Sequence, residues 1–291
     1  MKIAIVWRKL HNKGRLVNAM LTITDKEFHK LSAYIKTNYG INLSEKKKAL
    51  VVGRLQNILI EKAFSSFSQY IDYVMQDKSG EAVKTLVSKI TTNHTYFMRE
   101  PEHFQYFKTN ALPYWHNKLK DTKDLRVWSA GCSSGEEPYT LAMIIADYFG
   151  NEKILWDTKI LATDISTKVL NKAKLGVYNN ESIESIPKMW RNMYFTRFDN
   201  ENSVIADSIK KEVIYRVFNL MNTSLPFKKK FHVIFCRNVM IYFDADTKRD
   251  LVNRFYEHTE QGGYLFIGHS ESLNREETKY KYVMPAVYRK E

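Results

Sequence analysis

The segment WSAGCSSGEEPY, residues 128–139, has residue types and spacing that could bind a nucleoside. An apolar run leads into Gly131, polar residues follow, and an apolar helical pattern begins after them. In open α/β sheets such a turn follows a strand, where backbone N–H groups can approach a ligand. Ser133 and Glu136 stand where the dinucleotide fingerprint G-x-G-x-x-G needs glycines. The turn therefore disfavours a pyrophosphate and leaves room for a phosphate-free nucleoside.

An aspartate follows the next apolar run, KILATD. Asp164 ends this predicted strand, where a carboxylate can accept hydrogen bonds from both ribose hydroxyls. An isolated aspartate at this position is more often a helix cap. Its place after the glycine turn favours the ligand role.

The two cysteines give no pattern for metal binding or disulfide pairing. Cys132 and Cys236 provide neither a disulfide framework nor a four-ligand zinc spacing in a chain of 291 residues. We expect both to be small buried apolar residues, and we predict no metal.

The elements that would position these residues alternate between strand and helix after Leu125. This alternation predicts an α/β fold, a doubly wound and mostly parallel sheet covered by helices. The predicted strands are LRVWSA, KILATD, FHVIFC, YLFIGH and a final strand near 282–288. The predicted helices are EPYTLAMIIADYFG, STKVLNKAKLG and residues 245–259, with a turn at Gly262-Gly263.

Residues 20–90 predict a small all-α N-terminal domain of four amphipathic helices. Thr24 and Glu27 form a capping-box pattern at the start of the first helix. Residues 1–19 show neither a period nor caps, and we interpret them as a loose tail. The nucleoside-binding residues described above would then belong to a second domain, residues 91–291.

A region of about residues 177–221 interrupts the alternation of strands and helices. The segments MYFTRF, SVIA and EVIYRVFNL have the pattern of short antiparallel strands. They predict an inserted β-subdomain of three strands.

Composition and charge limit the class of protein. The formal net charge is +13, and residues 1–90 contain 16 Lys and Arg against 7 Asp and Glu. This excess predicts an acidic partner. No apolar stretch is as long as a membrane span, and the first residues do not form a signal peptide. We expect a soluble, cytoplasmic monomer without membrane insertion.

Five longer segments resemble one known family. TTNHTYFMREPEHF, RVWSAGCSSGEEPYTLAM, ATDIS, FCRNVMIYFD and GYLFIGHSESL are similar, in order and spacing, to the chemotaxis-receptor glutamate methyltransferases of the CheR family. The resemblance extends from about Thr24 to the last strand. It implies a class I, Rossmann-like domain that uses S-adenosylmethionine and releases S-adenosylhomocysteine. It also implies methyl esters on glutamates of the cytoplasmic helices of receptors, with a role in chemotactic adaptation.

The resemblance implies the residues of the site. The donor contacts would be Asn93, Thr95, Arg99, Glu137, Asp164, Asn219, Leu220, Arg237 and Asn238. Glu136 is a rival of Glu137 for the contact with the donor. The catalytic residues would be Arg99, near the substrate carboxylate, and Tyr242, in the segment that lines the methyl-transfer site. Met98 replaces the usual second phenylalanine, a change of packing rather than chemistry.

Methyl transfer to a carboxylate needs alignment rather than a base. A glutamate with an ordinary pKa near ~4.3 is already ionised at neutral pH, so His94 and His269 are interpreted as structural or peripheral. Alignment can supply roughly 7–11 kcal/mol. Arg99 could hold the carboxylate by its fork of donors, or form an ordinary ion pair. Tyr242 could bond a substrate oxygen, or be a core aromatic whose hydroxyl is satisfied.

Two surface features bear on the partner. Lys46, Lys47, Lys48 and Arg54 form either a solvated helix face or a patch that steers the enzyme towards acidic receptor helices. In some members of the family the β-subdomain docks a short peptide from the receptor's tail. The loop at 200–202 of this sequence is short and lacks glycine, which argues against such docking here.

Two rival functions remain at this point. The basic charge and 13% aromatic content also suit a nucleic-acid methyltransferase, but the D/N-P-P-Y/F pocket of many such enzymes is missing. We therefore expect no nucleic-acid partner. A sensor that binds the nucleoside without transferring methyl is the non-enzymatic alternative.

Overall fold

The computed structural model describes residues 21–291, which divide into two compact units. Within the described residues, the first unit comprises 21–34 and 43–90, and the second comprises 35–42 and 91–291. The predicted loose tail at 1–19 lies outside the described residues. Among residues 21–291, no helix combines the length and the apolar character needed to cross a bilayer.

All four helices predicted in the first region are present: α1 (Asp25–Tyr39), α2 (Lys48–Glu61), α3 (Phe67–Gln76) and α4 (Glu81–Ile90). A 3-10 turn, Glu45–Lys47, precedes α2. The predicted capping box is confirmed, since the Thr24 N–H donates to Glu27 Oε2 at 2.8 Å and the Glu27 N–H donates to Thr24 Oγ1 at 3.2 Å. The apolar side chains at helical spacing are buried, among them Phe28, Leu31, Leu55, Leu59, Tyr70, Val74, Leu86 and Ile90.

The chain between residues 101 and 118 forms a helical segment for which no helix was predicted. It comprises α5 (Pro101–Tyr106), a π-helical turn (Phe107–Ala111) and α6 (Leu112–Lys118). Phe104, Phe107, Ala111 and Trp115 are buried at helical spacing, so the periodic signal was present in the sequence. The π turn adds one residue to the helical repeat, which interrupts the periodic pattern of apolar residues. A proline at the start of each helix further weakens the helical signal in the sequence.

The predicted α/β fold is confirmed by a large sheet in the second unit. In chain order the elements that build it are β1 (Val127–Ala130), α7 (Glu136–Phe149), β2 (Ile160–Asp164), α8 (Thr167–Leu175), β6 (Val213–Val217), β7 (Phe231–Cys236), α11 (Ala245–Glu257), β8 (Thr259–Ile267), β9 (Lys281–Met284) and β10 (Val287–Arg289). The strand order is β6-β2-β1-β7-β8-β10-β9. The first five strands in that order are parallel, β10 pairs antiparallel with β8, and β9 pairs antiparallel with β10. Every residue of β1 and β7 is buried, as expected for central strands of a parallel sheet.

The insertion is also a three-stranded antiparallel sheet, but one of its predicted strands is wrong. The sheet has the order β3-β5-β4, from β3 (Val177–Asn179), β4 (Phe195–Arg197) and β5 (Asn202–Ile205). Two short helices accompany it, α9 (Lys188–Tyr194) and α10 (Asp207–Lys210). The segment EVIYRVFNL instead forms β6, which pairs in parallel with β2 from Ile160↔Val213 to Asp164↔Val217. The predicted subdomain boundary at 221 is therefore too late, because β6 buries Val213 and Tyr215 as an edge strand of the large sheet.

Two details near the carboxyl terminus also differ from prediction. Gly262-Gly263 is not a turn but lies inside β8, where the pairing with β7 shifts register between Phe231 and Val233. The single predicted strand near 282–288 is two strands, Lys281–Met284 and Val287–Arg289.

Candidate functional site

The glycine turn joins β1 to α7 and is fastened to the end of β2. The N–H groups of Gly131 and Cys132 both donate to the carbonyl of Thr163, at 2.8 and 2.9 Å. Gly131 has a φ of +90°, and a Cβ there would overlap the Val239 side chain. A side chain at Gly131 is therefore excluded both by backbone conformation and by space. The turn places its polar residues at the carboxyl ends of β1, β2 and β7.

Asp164 connects this turn to β2. Its Oδ2 accepts from the Ser133 N–H and its Oδ1 accepts from the Ser166 N–H, both at 2.9 Å. The N-cap of α8 is Ser166, whose hydroxyl accepts from the Val169 N–H, so the alternative of Asp164 as the cap is wrong. Burial raises the pKa of the Asp164 carboxyl, and the N–H donors oppose this shift. Each carboxylate oxygen keeps a second lone pair with which it can accept a ligand hydroxyl.

The two adjacent glutamates at the start of α7 have different surroundings. Glu136 is buried and accepts from the Ser134 hydroxyl at 2.8 and 2.9 Å. Glu137 accepts from the Ser129 hydroxyl at 2.6 Å through Oε1, and its Oε2 lies 2.9 Å from Arg237 Nη1. Burial raises the pKa of the Glu136 carboxyl. Glu137 rather than Glu136 thus belongs to the polar network at the strand ends.

Arg237, directly after β7, is the centre of that network. Its side chain is 2% exposed and lies between Glu137 Oε2 at 2.9 Å and Glu100 Oε2 at 3.0 Å. It also donates through Nη2 to the carbonyl of Arg99, and its guanidinium lies 5.0 Å from the centroid of the Phe104 ring. These contacts tie the segment at 99–100 to the start of α7. Arg237 therefore fixes the segment at 99–100 against the start of α7. The donor contact predicted for Arg237 stays a prediction.

The segment NHTYFMR contributes Asn93, Thr95 and Arg99. The Asn93 carbonyl accepts from the Ser133 hydroxyl at 3.2 Å, which places it beside the glycine turn. Thr95 is half-buried. Arg99 is half-buried and donates from Nη1 to the His94 carbonyl at 2.7 Å. Among the described residues no carboxylate lies within 4.0 Å of the Arg99 guanidinium, so the alternative of an ordinary ion pair is not observed.

Tyr242 is held by backbone groups of Thr92. Its hydroxyl oxygen accepts from the Thr92 N–H at 2.8 Å and its hydroxyl donates to the Thr92 carbonyl at 3.2 Å. A phenol has a single hydrogen to donate, and this contact uses it. The geometry agrees with the alternative of an aromatic whose hydroxyl is satisfied. The observed role of Tyr242 is to bind the main chain of Thr92, the residue before Asn93.

Asn219 and Leu220 follow β6, and their segment is joined to Asp164 because the Phe218 N–H donates to the Asp164 carbonyl at 3.0 Å. The Asn219 amide donates to the Asn38 carbonyl at 2.8 Å and accepts from the Met221 N–H at 3.0 Å. Leu220 is buried, and its carbonyl accepts from Arg254. The structure therefore places these two predicted donor contacts next to Asp164, the carboxylate predicted to accept the ribose hydroxyls.

Backbone strain is concentrated at this edge of the sheet. Of seven non-glycine residues with positive φ in the described chain, four belong to the site: Met98, Glu100, Ser133 and Asn238. Each such conformation costs on the order of 1–3 kcal/mol and persists only where surrounding contacts impose it. Asn238 has a φ of +59°, and its amide donates to Glu100 Oε1 at 3.2 Å.

Glu100 and Glu271 are functional candidates that the sequence interpretation missed. Glu100 forms an ion pair with Arg237 and accepts a hydrogen bond from the Asn238 amide. Glu271 accepts a hydrogen bond from the Asn238 N–H at 3.0 Å. Both lie inside segments that carry the family resemblance, MREPEHF and GHSESL, which was the available signal. Their roles depend on contacts across more than 100 and about 30 residues of chain, which spacing alone cannot reveal.

A group of potential metal ligands, Glu100, His103 and His269, lies beside Arg237. Their ligand atoms are all within 4.8 Å of one another. Burial, together with the positive charge of Arg237, lowers the pKa of His103 to about 3, so this imidazole is neutral. A neutral imidazole can bind a metal, but the Arg237 guanidinium is already 3.0 Å from Glu100 and would repel a cation there. The cluster therefore fits an ion-pair network better than a metal centre.

The remaining histidines and cysteines near the turn have no reactive surroundings. His94 and His269 are exposed. Cys132 and Cys236 are fully buried, as predicted, and burial raises the pKa of both thiols. A thiol with a raised pKa is a poor nucleophile. The site therefore offers carboxylates, guanidinium groups and backbone N–H groups, which bind and orient.

Two family models match almost the whole described chain. Residues 93–288 match the CheR methyltransferase SAM binding domain, and residues 26–91 match the CheR methyltransferase all-alpha domain.

Curated relatives agree with these matches. A chemotaxis protein methyltransferase of Borreliella burgdorferi is 42% identical over 94% of this chain and 97% of its own length. One of Escherichia coli is 31% identical, covering 92% of each chain. Among solved structures, a glycopeptide N-methyltransferase complexed with S-adenosylmethionine has a TM-score of 0.30 and 13% identity, covering 55% of this chain and 53% of its own. That structural likeness is too low to carry an argument.

Proposed function

Because the chain belongs to the CheR methyltransferase family, we propose that it transfers the methyl group of S-adenosylmethionine to glutamate side chains of chemotaxis receptors. The products would be glutamate methyl esters and S-adenosylhomocysteine. The acceptor glutamates would lie on the cytoplasmic helices of the receptors, and the enzyme would act there as a monomer. The observation that carries the proposal is the convergence of Asn93, Glu137, Asp164 and Arg237 on one glycine turn.

The donor would lie across the carboxyl ends of β1 and β2. Asp164, which already binds the Ser133 N–H of the glycine turn, would accept ribose hydroxyls, and Glu137 would accept the ammonium group of the methionine moiety. Arg237, whose Nη1 lies 2.9 Å from Glu137 Oε2, orients that carboxylate. Asn219 and Leu220 follow the neighbouring strand and would contact the adenine. These contacts explain how one nucleoside could be held without any phosphate-binding glycine motif.

The reaction needs no proton transfer. A lone pair of the substrate carboxylate attacks the methyl carbon, the carbon–sulfur bond breaks, and sulfur keeps the electron pair as the thioether of S-adenosylhomocysteine. The positive charge of the sulfonium and the negative charge of the carboxylate are both neutralised. The task of the protein is to align oxygen, carbon and sulfur, which can supply roughly 7–11 kcal/mol. Arg99 would orient the carboxylate through the donors that His94 does not use.

The chemistry of the product provides the test. The purified protein is incubated with methyl-labelled S-adenosylmethionine and receptor-containing membranes, and in parallel with RNA. We expect label on the receptor that mild base releases as methanol, because carboxyl methyl esters hydrolyse in base and N-methyl groups do not. Label on RNA would instead favour a nucleic-acid methyltransferase. Binding of S-adenosylhomocysteine without any labelled acceptor would favour a nucleoside sensor.

A further inference from the structure

Glu271, in the loop after β8, has a buried carboxylate that binds three backbone N–H groups. Its Oε2 accepts from Gly268 at 2.6 Å and from Asn238 at 3.0 Å, and its Oε1 accepts from Ile241 at 3.0 Å. The residue is 5% exposed. In the described chain no Lys, Arg or His nitrogen lies within 4.0 Å of it. The carboxylate is therefore satisfied by the main chain alone.

Two of these donors belong to the loop between β7 and α11. This loop, residues 237–244, begins with Arg237 and Asn238 and continues into the 3-10 turn Met240–Tyr242. Asn238 has a left-handed φ of +59°, which a residue with a Cβ adopts only when its surroundings impose it. The Ile241 N–H lies in the first turn of a short helix and has no partner within it. Glu271 supplies an acceptor at both of these positions.

The third donor fixes Glu271 itself. Gly268 directly follows β8, and a Cβ on Gly268 would lie 2.8 Å from the Asn238 nitrogen. The end of β8 and the loop after β7 are thus in direct contact. The Gly268 N–H orients the carboxylate towards that loop. Two adjacent strand ends are joined through one side chain.

We propose that Glu271 is a positioning residue for methyl transfer, which holds the loop at 237–242 in the conformation that aligns donor and acceptor. This inference rests on the proposed function, because its effect is exerted on the loop that carries Arg237 and Asn238. The Glu271 carboxylate contacts neither the Arg237 nor the Asn238 side chain and binds only main-chain N–H groups of the loop. Glu100 accepts from the Asn238 side-chain amide at 3.2 Å, so Asn238 is held through its main chain by Glu271 and through its side chain by Glu100.

The test compares Glu271→Gln with the control Glu276→Gln. Glutamine has the shape of glutamate but only one acceptor oxygen, so it presents an NH2 group to at least one of the three N–H donors. Glu276 is an exposed carboxylate on the same segment, so its replacement removes the same charge without touching the loop. Both full-length proteins are titrated calorimetrically with S-adenosylhomocysteine to count functional sites. Initial rates of ester formation are then divided by that count, well below each variant's Tm.

For Glu271→Gln we expect kcat per site to fall roughly 10- to 100-fold, because a misplacement of about 1 Å has effects of this size. The Kd for S-adenosylhomocysteine should rise by a smaller factor than kcat falls, since Glu137 and Asp164 are unaltered and alignment matters more in the transition state. Hydrogen–deuterium exchange should accelerate in peptides covering 237–242 and 268–273. The control should match the wild type in all three measurements.

A purely structural role would lower the Tm and the fraction of folded protein while kcat per site stayed normal, and that result would overturn the proposal. Unchanged exchange at 237–242 would overturn it as well. If Glu271→Gln did not fold, Glu271→Asp would take its place, because aspartate keeps the charge but is too short to reach all three donors. A normal kcat per site in that variant would also refute the proposal.

Failure of the proposed function has a different signature. The wild-type protein would then bind S-adenosylhomocysteine and form no base-labile ester on any receptor. In that case the exchange comparison alone would decide whether Glu271 holds the loop.

Discussion

Arginines bridge two carboxylates at both ends of the large sheet, and the two bridges differ in burial. At the amino ends of the strands, Arg126 lies 2.6 Å from Asp124 and 2.8 Å from Glu260, with 22% of its side chain exposed. At the carboxyl ends, Arg237 joins Glu100 and Glu137 with 2% exposed. Arg126 also donates to the Lys230 carbonyl, as Arg237 does to that of Arg99.

The difference in burial gives the two arginine–carboxylate bridges different roles. The bridge of Arg126 is only partly buried and contributes less free energy, because water reaches its charges and screens them. The buried bridge depends on every partner, since a lone charge there would be strongly destabilising. Four non-glycine residues with left-handed backbone surround the bridge at the carboxyl ends, namely Met98, Glu100, Ser133 and Asn238, whereas among the described non-glycine residues only Lys123 lies beside the bridge at the amino ends. The carboxyl edge therefore has a rigid arrangement of charges, as alignment chemistry requires, while the amino edge serves the scaffold.

The largest expected effect comes from removing each arginine in turn. Arg237→Met leaves the carboxylates of Glu100 and Glu137 without their cationic partner in a site that is largely shielded from water, so we expect the free energy of unfolding to fall by about 3–5 kcal/mol and methylation to be abolished. Arg126→Met should cost roughly 1 kcal/mol and leave kcat unchanged. Urea denaturation and initial rates measure the two effects. Equal losses of stability in the two variants would contradict the contrast between the edges.

The two ends of β2 provide a second comparison. Asp164 ends the strand at the site, and Asp157 precedes it at the opposite edge and is exposed. We expect Asp164→Asn to weaken the Kd for S-adenosylhomocysteine by roughly 10- to 100-fold, since a hydrogen bond to a charged group contributes about 1.5–3 kcal/mol. Asp157→Asn should bind as the wild type does. Calorimetric titration of both variants tests this, and an unaltered Kd in Asp164→Asn would remove Asp164 from the donor site.

His232, at the amino edge of the large sheet, should make the free energy of unfolding depend on pH. Burial and the positive charge of Arg126 lower the pKa of His232 to about 3, with Lys118 acting in the same direction and Asp124 against it. The unfolded chain binds a proton near pH 6.5 that the folded protein excludes, so this stability is complete above pH 6.5 and is lost as the pH falls towards 3. Between pH 7 and pH 5 the loss should be about 2 kcal/mol for this histidine.

Urea denaturation at the two pH values measures that loss. His232→Asn should remove about 2 kcal/mol of the pH dependence. The part that remains is expected from His103, whose pKa is lowered in the same direction. An identical slope in the variant and the wild type would show that His232 is not the group responsible.

The smallest expected effect comes from the basic surface of the first unit, where exposed charges would attract an acidic partner through water. Lys46 is exposed, whereas Lys48 pairs with Asp25 and Arg54 donates to the Ile90 carbonyl at 2.6 Å, so only part of the predicted patch can steer a partner. We expect Lys46→Glu to lower kcat/KM for receptors a few-fold at low salt, with no change at high salt or in donor binding. Lys78→Glu is the control on the same unit. Salt-independent methylation would argue against steering.

The sequence was sufficient where local pattern decides the structure. The capping box at Thr24 and Glu27 and the order of strands and helices after residue 125 were predictable, because helical and strand periods are local properties. It was insufficient for β6. The segment EVIYRVFNL alternates as an antiparallel hairpin strand would, and only its pairing with β2 distinguishes an edge strand of a parallel sheet.

The site shows the same division. The resemblance predicted Asn93, Glu137 and Asp164, and the structure brings all three to one turn. It could not separate Glu136 from Glu137, since one residue on a helix changes the direction of a side chain by about 100°. Tyr242 illustrates the limit, because a hydroxyl that could face a substrate is held instead by Thr92, 150 residues away in the chain.

The types of the reactive groups, the fold class and the family were properties of the amino-acid sequence alone. They are encoded in short segments whose residues are neighbours in the chain. Which carboxylate meets Arg237, which residues are forced into left-handed backbone, and that Glu271 holds a loop 30 residues before it were decided only by tertiary structure. The physical reason is that burial and hydrogen-bond partners arise when distant strand ends meet at one edge of a sheet.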